Sequence, residues 1–167
     1  MNKILLITEK LFKQHSPITA ATDVAEFVPY LGIAQELHIT PLLGTALMDE
    51  LCRQVEANSL NEANSALIMQ IAPTLSFYTV YQALPFHWAT IVNKGITIRE
   101  SENSKGVSIS DLAQLRQWIK NDADLLKKQL ADFLLKNKGD YPLWENKHTG
   151  CVAENIPFDS GFFFPKR

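Results

Sequence analysis

Residues 63–84 contain no charged side chain, yet their apolar positions keep a helical period. Leu67, Ile71, Leu75, Tyr78 and Leu84 fall on one face, and Phe77 and Tyr81 occupy an adjoining row. A helix that is apolar around most of its circumference must be surrounded by other elements. The spacing therefore predicts a central helix over residues 62–84. Pro73 should kink it without ending it, because the period continues beyond that ring. Polar residues interrupt the run before the ~20 uninterrupted apolar positions of a membrane span are reached.

Other helices are expected around this one. Thr8 caps a short turn that Ser16-Pro17 stops. Asp23, with Glu26 three residues on, has the spacing of a capping box. Val24, Phe27, Val28, Leu31 and Leu37 or His38 supply the stripe behind it, with a kink or a late start at Pro29 and Gly32. Thr40-Pro41 is expected to break that helix, with proline at a first helical position able to begin the next turn, and Gly44 punctuates again before a stripe of Leu47, Met48, Leu51, Cys52 and Val55. After Pro85 the period changes. The β-branched runs at residues 90–92 and 96–98 flank Asn93-Lys94-Gly95, which reads as a hairpin loop. Ser108 or Ser110 then caps a last helix striped by Leu112, Leu115, Ile119, Leu126, Leu130, Phe133 and Leu134, with Gly139 as its stop.

The expected fold is mainly α: a four- to five-helix bundle with an inserted β-hairpin at about residues 89–99. Residues 1–140 form one domain, and residues 141–167 form an extended C-terminal arm. The 167 residues amount to one ordinary domain. With 46 % apolar and 20 % charged residues, neither disorder nor a membrane protein is indicated. No stretch resembles a targeting peptide, the apolar run at residues 4–7 being too short, so a soluble protein is expected. Cys52 reads as a small buried apolar residue, and Cys151 falls in the arm; two free thiols are expected.

The net charge of −2 argues against general nucleic-acid binding. Its distribution is uneven. Residues 17–93 hold one cation, Arg53, against seven acids, whereas residues 94–138 hold nine cations against six acids. That polarity suits head-to-tail contact between copies, and equally suits ordinary solvated faces.

Enzyme signatures are absent from the sequence, and no catalytic, cofactor or metal residue is assigned. The glycines are scattered singly, and His15, His38, His87 and His148 have no partner at ligand spacing. His38 and His87 read as packing or capping residues. Asp49-Glu50 and Asp122-x-Asp124 diverge on a helix and so make no ready acid–base pair. A helix-turn-helix around Gly44 fails because its second helix carries Asp49, Glu50 and Glu56 against Arg53, the wrong field for phosphate.

Two features read as contact surface. A two-stranded hairpin is marginal alone in water, so it packs on its own helices or borrows an edge from another chain. Its candidate contact residues are Ile91, Val92, Lys94, Ile96 and Ile98. Phe162, Phe163, Phe164 and Pro165 close the chain; such a run either folds back over the body or inserts into a neighbour.

The runs Ile39-Thr40-Pro41-Leu42-Leu43-Gly44, Ala83-Leu84-Pro85-Phe86, Val92-Asn93-Lys94-Gly95-Ile96 and Ser101-Glu102-Asn103-Ser104 occur here in order. Leu115-Arg116, Asn121-Asp122-Ala123 and the terminal Phe164-Pro165-Lys166 follow. Together they resemble small helical proteins of tailed phages and prophages of Bacteroidetes, which are similar to head–tail connector, or adaptor, proteins. The resemblance implies a virion protein of the neck, assembled in the host cytoplasm. It implies a dodecameric ring of copies beneath the portal, with tail or further ring proteins on the other side. DNA would pass through the lumen without sequence-specific binding, and the acidic stretch at residues 17–93 would suit a lining that does not retain it. The other reading is a small helical prophage-encoded binding module or regulator.

Overall fold

The computed structural model describes residues 4–19, 21–92, 95–98 and 108–145, and gives the backbone alone for residues 90–92 and 95–98. The chain is mainly helical. Helix α1 spans Glu9–His15, and its cap is Thr8, whose hydroxyl accepts the Leu11 amide. Phe12 on its inner face is fully buried.

The helix expected from Asp23 starts later. Asp23 caps only a 3-10 turn, Val24–Glu26, and α2 spans Val28–Ala34. Pro29 sits in its first turn, where the missing N–H has no intrahelical partner to lose. Pro41 stands in the first turn of a new helix, as expected, but the chain reaches it without the expected break. Residues Gln35–Ile39 widen into a π-turn, the Thr40 amide and hydroxyl both reach the Gln35 carbonyl, and α3 continues over Thr40–Leu43. The wider turn absorbs the proline ring that an α-turn would have clashed with.

Gly44 then reverses the chain into α4, Thr45–Glu56, with φ +80° and ψ 160°. No heavy atom beyond its chain neighbours lies within 4 Å of where a Cβ would stand. The demand for glycine is therefore purely conformational. Gly44→Ala should cost about 1–3 kcal/mol through backbone strain alone, measured as a lower urea midpoint with unchanged slope. Leu47, Met48 and Leu51 face the core, whereas Cys52 is half-buried beside them rather than enclosed. Buried Gln54 ties the next turn together: its amide oxygen accepts from the Asn61 backbone N–H and from Asn64 Nδ2.

Asn61 caps α5, Glu62–Trp88, which is the central helix. Leu67, Ile71, Ala72, Leu75, Tyr78 and Ala83 are all essentially sealed from solvent. The helix contains Pro73, as expected, and also Pro85, so it runs four residues past the predicted end at Leu84. The reason lies in another helix. Pro85 cannot donate to the Tyr81 carbonyl, and Arg116 Nε fills that place at 3.3 Å while its guanidinium sits 4.1 Å above the Tyr81 ring.

Strands β1, Ala89–Val92, and β2, Gly95–Ile98, follow α5 and pair antiparallel, with Ala89 opposite Ile98 and Val92 opposite Gly95. Gly95 thus belongs to a strand and not to the turn. Ser108 caps α6, Ile109–Lys136, by accepting the Asp111 amide. This helix packs most extensively on α5, through Ile119, Ala123, Leu130 and Leu134. Its stop is Asn137, whose side-chain amide donates to the Phe133 carbonyl; Gly139 only joins the 3-10 turn that follows.

The body does not end at residue 140. Tyr141 and Trp144 are buried, and each polar handle meets a backbone carbonyl. Tyr141 Oη donates to Ala63 O at 2.7 Å and Trp144 Nε1 to Leu42 O at 3.0 Å. The first residues expected in an arm are therefore anchors.

Candidate functional site

Three helical segments meet in a polar cluster built from His38, Tyr78, Gln82, Lys120 and Asp124. His38, in the π-turn, stacks on the Tyr78 ring of α5 with centroids 3.7 Å apart and planes 3° from parallel. Its Nε2 lies 3.2 Å from the Gln82 amide nitrogen, which donates to it when the ring is neutral. The Tyr78 hydroxyl donates to the Asp124 carboxylate of α6, and Lys120 Nζ donates to the same carboxylate at 2.7 Å.

Burial pushes the Tyr78 phenol well above its ordinary value, and its bond to Asp124 adds to that. Burial also works to raise Asp124, but the bonds from Lys120 and Tyr78 prevail and hold it below the usual carboxylate range. The same bond raises Lys120. Each group is thus stabilised in the ionisation state that the others require. Such an arrangement clamps α6 to α5 and offers no poised base.

His38 is held below its ordinary 6.5, first by burial and then by the Lys127 and Lys120 charges, against an opposing pull from Asp124. The unfolded chain therefore binds this proton more readily than the folded one. Stability contributed here is complete above pH 6.5 and is lost as pH falls below it. His38→Phe should keep the stacking and reduce the drop in unfolding free energy between pH 7.5 and 5.5. An unchanged drop would show that other groups govern it.

The carboxylates singled out in the sequence form no pair with one another. Glu50 turns to Arg53, with Oε1–Nη2 at 2.6 Å, and Asp124 turns to Tyr78 and Lys120. No group of three or more His, Cys, Asp or Glu among the described residues is placed to hold a metal ion. No helix among them is long and apolar enough to cross a membrane.

The distinctive surface is apolar. On α2 and the π-turn that continues it, Ile33 and Leu37 remain 47 % and 56 % exposed, and Val28 is also open. With Leu5, Pro29, Gly32 and Glu36 they line a groove of about 590 Å³. On α6, Leu115, Leu125 and Trp118, the last 59 % exposed, point outward at one- and two-turn spacing. Between the segment that precedes α2 and helices α5 and α6, a second hollow of about 380 Å³ is lined by Ile18, Phe27, Val80, Leu84, Leu115 and Ile119. Phe27 stacks on His87 and Tyr30 on the exposed Phe86 along the same side of α5.

Of the contact residues expected from sequence, Ile91, Val92, Ile96 and Ile98 lie on the paired strands that continue from α5. Lys94, Phe162, Phe163, Phe164 and Pro165, and Cys151 with them, lie outside the described residues. The α2 face was not anticipated. Val28 and Leu37, read in the sequence as part of the inward stripe, are in fact exposed; Leu31, Ala34 and Ile39 face the core instead, which leaves this helical run apolar on two sides.

Fold and surface together define a mainly α protein that presents apolar helix faces outward. The chain belongs to a family of unknown function, DUF6712, whose model matches residues 39–154, from the end of the π-turn onward. No curated protein and no solved structure matches it.

Proposed function

We propose that the protein is a structural subunit of a head–tail connector ring, joining a portal to tail components around the DNA channel of a virion. The observation that carries this reading is the pair of exposed apolar faces on α2 and α6, which share no residue. Two unlike patches on one chain suit heterologous contact, and heterologous contacts form a ring when their rotation closes. The ordered resemblance of residues 39–44, 83–86, 92–96 and 164–166 to connector proteins supports the same reading. The hairpin residues Ile91, Val92, Lys94, Ile96 and Ile98, and Phe162 to Pro165 at the terminus, serve as contacts to neighbouring copies. The acidic stretch at residues 17–93 favours a lumen that repels the passing duplex.

The test is co-expression of the full chain with the portal protein of the same genome, followed by electron microscopy of the purified particles. Rings of this chain stacked coaxially on the portal are expected. A chain that stays off the portal at every concentration, as a discrete small oligomer, would instead favour the binding-module reading.

A further inference from the structure

We infer that the groove lined by Gly32, Ile33 and Leu37 receives the aromatic C-terminal segment, residues 162–167, of a second copy of this chain. This deepens the connector reading and rests on it for the identity of the partner.

The groove is matched to that segment in composition. Its walls are Leu5, Val28, Ile33 and Leu37, Gly32 contributes no side chain, and the acid among its lining residues is Glu36. At about 590 Å³ it falls within the ~300–1,000 Å³ of sites that enclose a ligand. The segment Phe162-Phe163-Phe164-Pro165-Lys166-Arg167 brings three aromatic rings, a proline and two cations, with no acidic side chain. In an extended chain alternate side chains share a face, so Phe162 and Phe164 enter together. Lys166 and Arg167 then bring positive charge to a groove whose charged lining residue is Glu36.

Chain geometry agrees. The described chain ends at Glu145, one residue past Trp144, whose indole is bonded to the Leu42 carbonyl. Leu42 lies five residues beyond Leu37 on the same helical run. Trp144 is thus anchored at the end of α3, on the helical run that also carries Leu37. The 17 residues from Glu145 to Phe162 span up to roughly 55–60 Å when extended, enough to leave one body and reach the next. Arm and groove are unlike surfaces, so each copy gives one contact and receives another.

The test uses two full-length variants. Ile33→Glu with Leu37→Glu closes the groove to apolar side chains, and both positions are about half exposed, so the core is untouched. Phe162→Ser with Phe164→Ser disables the arm. Circular dichroism and urea midpoints check that both remain folded, and sedimentation velocity reads association. Wild type should associate with rising concentration, and each variant alone should associate at least tenfold more weakly. An equimolar mixture should form a heterodimer and stop there, because only one competent arm and one competent groove remain. Glu36→Lys should weaken wild-type association and flatten its salt dependence.

A mixture that stays monomeric, or variants that associate like wild type, would overturn the inference. So would a monomeric wild type whose terminus is protected from carboxypeptidase and released by the groove variant, since the arm would then occupy its own groove. The portal experiment fails or succeeds separately: a heterodimer without portal rings retains this contact and removes the connector reading.

Discussion

Trp144→Ala lowers the unfolding free energy by about 3–5 kcal/mol, the range for truncating a large buried aromatic. The indole is 5 % exposed and its Nε1 fastens residue 144 to the Leu42 carbonyl, 102 positions earlier in the chain. The substitution opens a cavity between the C-terminal segment and α3 and leaves that carbonyl, at the end of a short helix, without its donor. Urea unfolding at neutral pH measures the effect. Trp144→Phe should recover most of the packing while still losing the hydrogen bond, leaving a deficit of about 1 kcal/mol or more. A loss within the ~0.5 kcal/mol typical of surface positions would mean that residue 144 belongs to a free arm.

Gln35→Ala should be nearly as damaging, at about 2–5 kcal/mol. This side chain is completely buried in the π-turn, where its Oε1 accepts the Leu6 amide at 3.0 Å and its Nε2 donates to the Ile4 carbonyl at 2.9 Å. It acts as a backbone strand for an N-terminal segment that has none to pair with. Removing it orphans a donor and an acceptor and leaves a void. Gln35→Met fills the void without restoring the bonds, so the difference between the two variants separates packing from hydrogen bonding. Hydrogen exchange at the Leu6 amide should accelerate in both. Because Leu5 lies between the two tethered residues and lines the α2 groove, the same variants should also weaken self-association. Unchanged association with a faster Leu6 amide would place Leu5 outside the functional part of that groove.

Local signals located most helices correctly, since capping and periodicity act within a few residues. Thr8, Asn61 and Ser108 each accept an amide three residues on, and the charge-free run of α5 is the buried centre that its composition demanded. Asp23 shows the limit of such signals. Its side chain caps a turn, but Pro29 favours a later helix start, and two local preferences six residues apart had no local arbiter.

The prolines were read worst. Pro41 opens α3 as its position allowed, but without the break expected before it, and Pro85 carries the penalty for a helix interior and was overruled by something distant. At Pro41 the chain widened into a π-turn that also buries Gln35 against residues 4–6. At Pro85 the abandoned Tyr81 carbonyl was taken by Arg116, 35 residues away.

Periodicity and charge spacing by themselves determined the class, the central helix and the last helix, because burial of an apolar face is written into the order of residues along it. Only the tertiary structure decided where the body ends, which face of α2 stays open and which polar groups are clamped. Those outcomes depend on pairs such as Trp144 with Leu42 and Tyr78 with Asp124, whose separation along the chain leaves no periodic trace.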